Sequence, residues 1–189
     1  MRKGFRLFGC NVAYRAAPDL ELLFATNENT WDYIWPEVKD RLFDKWTVNE
    51  RAAQRYGINW IAEKWGEGLC ETPGLIHHGH GAGFSLLSMA HKAGAKRVIL
   101  LGYDLHYAAD YDGQSQHIGS TPRHSELLLL GGEYPKALQH WPKVAVKDGR
   151  HFELIRLYET VRDQGLIEIV NGSADSPFDV FPKVPIDAL

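Results

Sequence analysis

Short apolar runs alternate with helical periodicity along this chain. Phe5 to Phe8 predicts a first strand, ending at Gly9-Cys10-Asn11. Pro18-Asp19 turns the chain, and Leu20 to Ala25 predicts a second strand ending at Thr26-Asn27-Glu28. Asn29 or Thr30 is placed to cap a helix reaching Asp40-Arg41, with Trp31, Ile34 and Trp35 on its apolar side. Pro36 sits badly in that helix and is expected to break or kink it. Asn49 to Tyr56 predicts a second short helix, Ile58 to Ala62 a third strand, and Lys64 to Gly74 a loop rich in glycine.

The stretch from Leu75 to Asp104 organises the rest. Leu75 to His78 reads as a strand, Gly79, Gly81 and Gly83 punctuate a turn, and Phe84, Leu87, Ala90 and Ala93 then follow helical spacing. Gly94 stops that helix, and Arg97 to Leu101 has the continuous apolar character of a strand covered on both faces. Leu105 to Arg123 shows little periodicity, which in a compact domain marks a functional or disordered loop. Ser125 to Leu130 predicts a helix ending at Gly131-Gly132. Gly149 to Asp163 predicts a stronger one, with Phe152, Ile155, Leu157 and Val161 buried. Leu166 to Val170 is the last strand, followed by a polar turn at Asn171-Gly172-Ser173. Strands alternating with helices predict an α/β fold, a single Rossmann-like domain over residues 1–189 with a central, mostly parallel sheet.

Composition narrows the class without choosing a function. With 44% hydrophobic and 24% charged residues, the 189-residue chain is an ordinary globular sequence. A formal charge of −3 gives no basic surface for nucleic acid, so no nucleic-acid partner is expected. The longest apolar runs fall short of a membrane span, and Met1-Arg2-Lys3-Gly4 has no apolar segment behind it to act as a secretory signal. Cys10 and Cys70 cannot make a disulfide framework, and a reduced, cytoplasmic setting is expected.

In open parallel sheets, ligands bind at the carboxyl ends of the strands beside helix N-termini. The turn Gly79-His80-Gly81-Ala82-Gly83 and Asp104 both fall on that edge. The glycine turn either offers backbone N–H groups to a phosphate or simply packs well; it lacks the Lys-Ser/Thr of a P-loop. Asp104 is placed to hold a ribose, a divalent ion or a reacting hydroxyl, or else to cap a turn. His77, His78 and His80 read as structural rather than metal-binding, because neighbouring strand residues point to opposite faces. His106, His117 and His124 lie in or beside the long loop, where a histidine can serve as general base or be solvated. Cys10 reads as a buried thiol, and most of the six tryptophans as core or half-buried packing.

The run Gly83-Phe84, Ala90, then Gly94-Ala95-Lys96-Arg97-Val98-Ile99-Leu100-Leu101-Gly102-Tyr103-Asp104 resembles the central motif of an uncharacterised phage and prophage group. That group is related to the 6-hydroxymethylpterin pyrophosphokinase MptE-like domain and, more distantly, to family-42 bacterial sialyltransferases. Phe8-Gly9-Cys10-Asn11, Tyr14, Pro18-Asp19, Ala25-Thr26-Asn27 and the closing Asn171-Gly172-Ser173 with Phe181-Pro182 are similar to further blocks of it. The resemblance implies that Asn11 and Asn27 line a nucleotide pocket, with Gly81, Ala82 and Gly83 near its phosphates and Tyr103 and Asp104 on its rim. The sialyltransferases carry their general base in a Tyr-Ile-Gly-His segment; the similar segment here is His117-Ile118-Gly119-Ser120, so His117 or His124 would have to substitute for it. Two further departures are Ala82, where the group carries a hydroxyl, and the missing first strand with its Gly-Pro-Ser-Leu loop. The sequence would start after that segment, leaving a truncated chain, a strand supplied by another chain, or a degenerate site.

The expected function is therefore nucleotide- or nucleotide-sugar-dependent transfer to a small hydroxyl acceptor, glycosyltransferase-like or pyrophosphokinase-like. Asp104, His117 and His124 are its catalytic candidates. In the pyrophosphokinase variant the donor is ATP and Asp104 holds Mg²⁺; in the sialyl variant the donor is a CMP-sugar and no metal is needed. The alternative is a catalytically degenerate phage accessory protein that binds a protein or small ligand. A homo-oligomer is compatible with either.

Overall fold

The computed structural model describes residues 4–79, 81–103, 150–173, 176 and 178–188. The chain divides into two compact units, Met1–Gly94 and Ala95–Leu189.

In the first unit, β1 (Phe8–Cys10), β2 (Leu22–Phe24), β3 (Asp44–Thr47) and β4 (Asn59–Trp60) pair in that order, all parallel. Between them run a 3-10 turn (Ala13–Arg15), α1 (Glu28–Val38) and α2 (Glu50–Tyr56). A second parallel pair joins β5 (Ala62–Trp65) to β6 (Leu75–His78), and α3 (Ala82–Lys92) follows. Parallel neighbours need crossover connections: the 3-10 turn, α1 and α2 lie in those from β1 to β4, while residues 66–74 join β5 to β6 without a helix. Every residue of β2 is buried, as a strand covered on both faces requires. Leu23 and Ala25 point to one face, where they pack with Trp31, Ile34 and Val38 of α1 and Ala52 of α2. Leu22 and Phe24 point to the other, packing with Leu86 and Met89 of α3, Ile61 and Ile76. Helices thus cover both faces of β2.

The fold is α/β, as the alternating pattern predicts, and every described strand pair is parallel. Local assignments shift. β1 lies three residues later than Phe5. The N-cap of α1 is Asn27, not Asn29 or Thr30, because Thr30 and Trp31 already donate to the Asn27 carbonyl. Pro36 stays inside α1, two residues before its end, so little helix remains to be broken. β3 has no counterpart among the predicted strands: its Asp-Lys-Trp-Thr sequence buries only Thr47 fully. The predicted third strand, Ile58 to Ala62, is two short strands in different sheets, with Lys64 and Trp65 in β5 rather than in a loop. Of the tryptophans, Trp31 is buried, Trp35 and Trp46 are half-buried, and Trp60 and Trp65 are exposed. Trp141 lies outside the described residues.

In the second unit, β7 (Arg97–Leu100) pairs in parallel with β8 (Glu168–Asn171), which follows α4 (Arg150–Gln164). Leu157, Tyr158 and Val161 of α4 are buried, and Ile155 is half-buried; the Phe152 side chain lies outside the description. Of the run expected to be covered on both faces, Leu100 is buried, Val98 and Ile99 are half-buried, and Leu101 is exposed. The predicted polar turn begins inside the strand. Asn171 is the last residue of β8 and fully buried. Its Nδ2 donates to the Phe178 carbonyl at 2.8 Å, and its Oδ1 accepts from the Ser173 N–H at 2.9 Å. Its own N–H donates to Pro182 O, and its carbonyl accepts from Val184 N–H. The closing segment is thereby fastened to the end of β8. Gly172 passes so close to β7 that a Cβ there would fall 2.8 Å from Leu101 Cδ2. Tyr158, Phe178 and Phe181 complete an edge-on aromatic cluster with Tyr103.

Among the described residues no helix is long and apolar enough to cross a membrane.

Candidate functional site

Parallel pairing puts the carboxyl ends of β1, β2 and β3 on one edge of the first unit. Asn11 follows β1 there with φ +52, a left-handed backbone that asparagine tolerates better than most residues. Its N–H donates to Phe24 O at 2.9 Å. Asn27 follows β2 and opens α1, its side chain exposed and making no capping bond. Gly81 is the N-cap of α3, and Ala82 packs onto the cluster that holds Phe8 and Cys10 of β1. The first-unit residues expected in the nucleotide pocket, Asn11, Asn27, Gly81, Ala82 and Gly83, therefore stand at strand ends and helix starts.

The three helix starts differ in what they leave open. At α2 the Asn49 Oδ1 accepts from Ala52 N–H at 2.9 Å, so a cap is in place. At α1 Glu28 supplies a carboxylate in the first turn and pairs with Arg55 at 3.4 Å. At α3, among the described residues, no side chain caps the terminus and no acidic residue stands in the first turn. Gly81 is extended, with φ −157, and a Cβ placed on it would meet nothing within 4 Å. Among the described residues no carboxylate offsets the positive end of that helix, and the space beside Gly81 is open. Ser85, one turn in, is fully buried with a hydroxyl that has no partner among the described residues.

The neighbouring histidines separate. His77 Nδ1 lies 3.0 Å from Gly68 O, and its ring lies where a Cβ on Gly66 would stand, which is a packing role. His78 Nδ1 lies 3.1 Å from Glu63 Oε2, an ion-pair approach at an angle short of a straight hydrogen bond. The Glu63 carboxylate beside Nδ1 raises the His78 pKa above the ordinary histidine value, against the opposing effect of burial. The pair escapes sequence reading because Glu63 and His78 meet only through the β5–β6 register. Among the described residues no three His, Cys, Asp or Glu side chains come together as metal ligands. Cys10 is half-buried as a residue, but its thiol is shielded and pushed up to about 11 by burial, so it stays protonated at neutral pH.

Tyr103 belongs to the second unit, where its carbonyl accepts from Ser176 Oγ at 3.1 Å and its ring meets Tyr158 edge-on. Asp104, His106, His117, Ser120, His124 and the His80 of the glycine turn lie outside the described residues. So do the long segment from Leu105 and the helix predicted at Ser125 to Leu130. A separate open depression of about 360 Å³, lined by Trp35, Lys39, Phe43, Lys45 and Tyr56 among others, lies at the amino ends of β3 and β4. Parallel α/β sheets do not place their chemistry on that edge.

Comparisons with protein families, with curated proteins and with solved structures find no match.

Proposed function

We propose that the first unit binds the phosphates of a nucleotide or nucleotide-sugar at the start of α3, and that the protein transfers a group from that donor to a small hydroxyl acceptor. The observation that carries this reading is the contrast among the three helix starts: among the described residues only α3 has neither side-chain cap nor first-turn carboxylate, and the space beside Gly81 is open. Backbone N–H groups and the helix dipole there favour a phosphate. Asn11 and Asn27, on the same edge, offer amide groups to the sugar or base. The acceptor must lose a proton as it attacks the donor, and a base within reach of it is the remaining requirement. With ATP as donor, Mg²⁺ is required; with a CMP-sugar, no metal is required.

Gly81→Asp tests the phosphate site with opposed outcomes. The extended backbone and free space accept the new side chain, which caps α3 and adds a few tenths of a kcal/mol to stability. The same carboxylate occupies the phosphate position and abolishes binding. A thermal-shift screen against CMP, CDP, UDP, GDP, ATP and CMP-sugars, with and without Mg²⁺, reads both. A donor at a hundredfold excess over its Kd raises stability by about 2.7 kcal/mol. If no nucleotide shifts the folded wild type, the accessory-protein reading replaces this one.

A further inference from the structure

We infer that His78, held by Glu63, is the base that takes the acceptor proton. The inference rests on the transfer reading above and adds its proton-transfer residue. β6 brings His78 to its carboxyl end, three residues before Gly81. Ile76 is buried in the core beneath α3, and His78, two residues along, shares its side of the pleat. The ring therefore stands on the α3 side of β6, at the end where the helix begins. Glu63 and Trp65 lie on that side too, because Glu63 registers with Ile76 and Trp65 with His78.

The arrangement is that of a base with its orienting carboxylate. Glu63 Oε2 stands 3.1 Å from Nδ1, which is shielded from solvent, and Trp65 meets the ring edge-on at 5.9 Å. The negative charge of Glu63 beside Nδ1, though not aligned for a hydrogen bond, favours the tautomer with its proton there and leaves Nε2 as the basic nitrogen. The side chain is 37% exposed, so the ring is reachable. Glu63 is the charged group facing it from β5; Lys64 registers with His77 on the other side, and the first turn of α3 carries no acidic residue. His80 lies outside the described residues.

In the step, Nε2 accepts the proton of the acceptor hydroxyl. The acceptor oxygen then bonds to the donor centre, sugar carbon or phosphorus, as the bond from that centre to the nucleotide phosphate oxygen breaks. The electron pair of that bond leaves with the nucleotide. The imidazolium, balanced by Glu63, returns its proton to solvent.

Diethyl pyrocarbonate, which modifies an accessible neutral imidazole nitrogen, reads His78 without any nucleotide. Peptide mapping of the full chain is expected to find His78 modified faster than His77. The pH midpoint should lie above the ordinary 6.5 and fall back toward it in Glu63→Gln. A silent His78 overturns the inference whatever nucleotides do. Turnover is read as CMP release from CMP-N-acetylneuraminate and AMP release from ATP with Mg²⁺. His78→Gln should lower kcat by about 10²- to 10⁴-fold with nucleotide Kd unchanged, and Glu63→Gln should displace the acidic limb of the pH profile. Retained kcat in a folded His78→Gln that binds nucleotide overturns the inference alone. If neither nucleotide binds but His78 reacts as described, the transfer reading falls and the base role with it, while the pairing of His78 with Glu63 stands.

Discussion

Replacing Asn171 by alanine removes a side chain that fastens the closing segment of the second unit to β8. Two bonds go: Nδ2 to Phe178 O at 2.8 Å and Ser173 N–H to Oδ1 at 2.9 Å. Phe178 is buried, so its carbonyl is left without a partner, costing about 1–3 kcal/mol; the half-buried Ser173 N–H can turn to water and costs about 1 kcal/mol. The expected loss is about 2–4 kcal/mol, a large share of the 5–15 kcal/mol typical of a folded protein. With a urea dependence near 2 kcal/mol per molar, the midpoint followed by far-UV circular dichroism should fall by about 1–2 M. Asn171→Asp sharpens the test. It keeps the acceptor for Ser173 but sets a carboxylate oxygen against the Phe178 carbonyl. Its folded pKa is thereby raised, so its penalty is full at neutral pH and shrinks as pH falls and the protonated acid can donate. An Asn171→Ala midpoint within about 0.3 M of the wild type, less than a kcal/mol at that slope, would refute the reasoning.

Ser85→Ala removes a buried hydroxyl without a partner among the described residues, and should leave stability unchanged or raise it by up to about 1–3 kcal/mol; a lower thermal midpoint would show that the hydroxyl has a partner. The raised pKa of His78 makes its pairing with Glu63 a stabilising contribution that is full below about pH 6.5 and lost as pH rises through the folded value. His78→Gln should remove that slope from thermal midpoints measured between pH 5 and 9; an unchanged slope would exclude the pairing. Burial holds the Cys10 thiol protonated, so iodoacetamide at pH 8 should label it far more slowly in the folded protein than in urea. Equal rates would place the sulfur in solvent.

Periodicity carried the elements whose burial is local and regular. The helical spacing of Trp31, Ile34 and Phe84, Leu87, and the apolar runs of β2, β6 and β7, are visible because one face of each must leave water. The glycines of the turn before α3 were equally plain, and with them the edge on which to look for chemistry. β3 was not legible, because it is half-exposed and its Asp-Lys-Trp-Thr sequence carries no apolar run. Nor was Asn171. Its sequence context, Asn-Gly-Ser, has the composition of a turn, and only pairing with β7 and with the closing segment makes it the buried end of a strand. The same holds at the candidate site. Three histidines stand near one turn in the chain, and strand alternation correctly sent His77 and His78 to opposite sides. Which carboxylate would meet His78 depended on the register of β5 against β6, a long-range pairing with Glu63 that no local pattern encodes. Local burial patterns determined where helices and strands form; the pairing of distant strands decided which polar side chains meet.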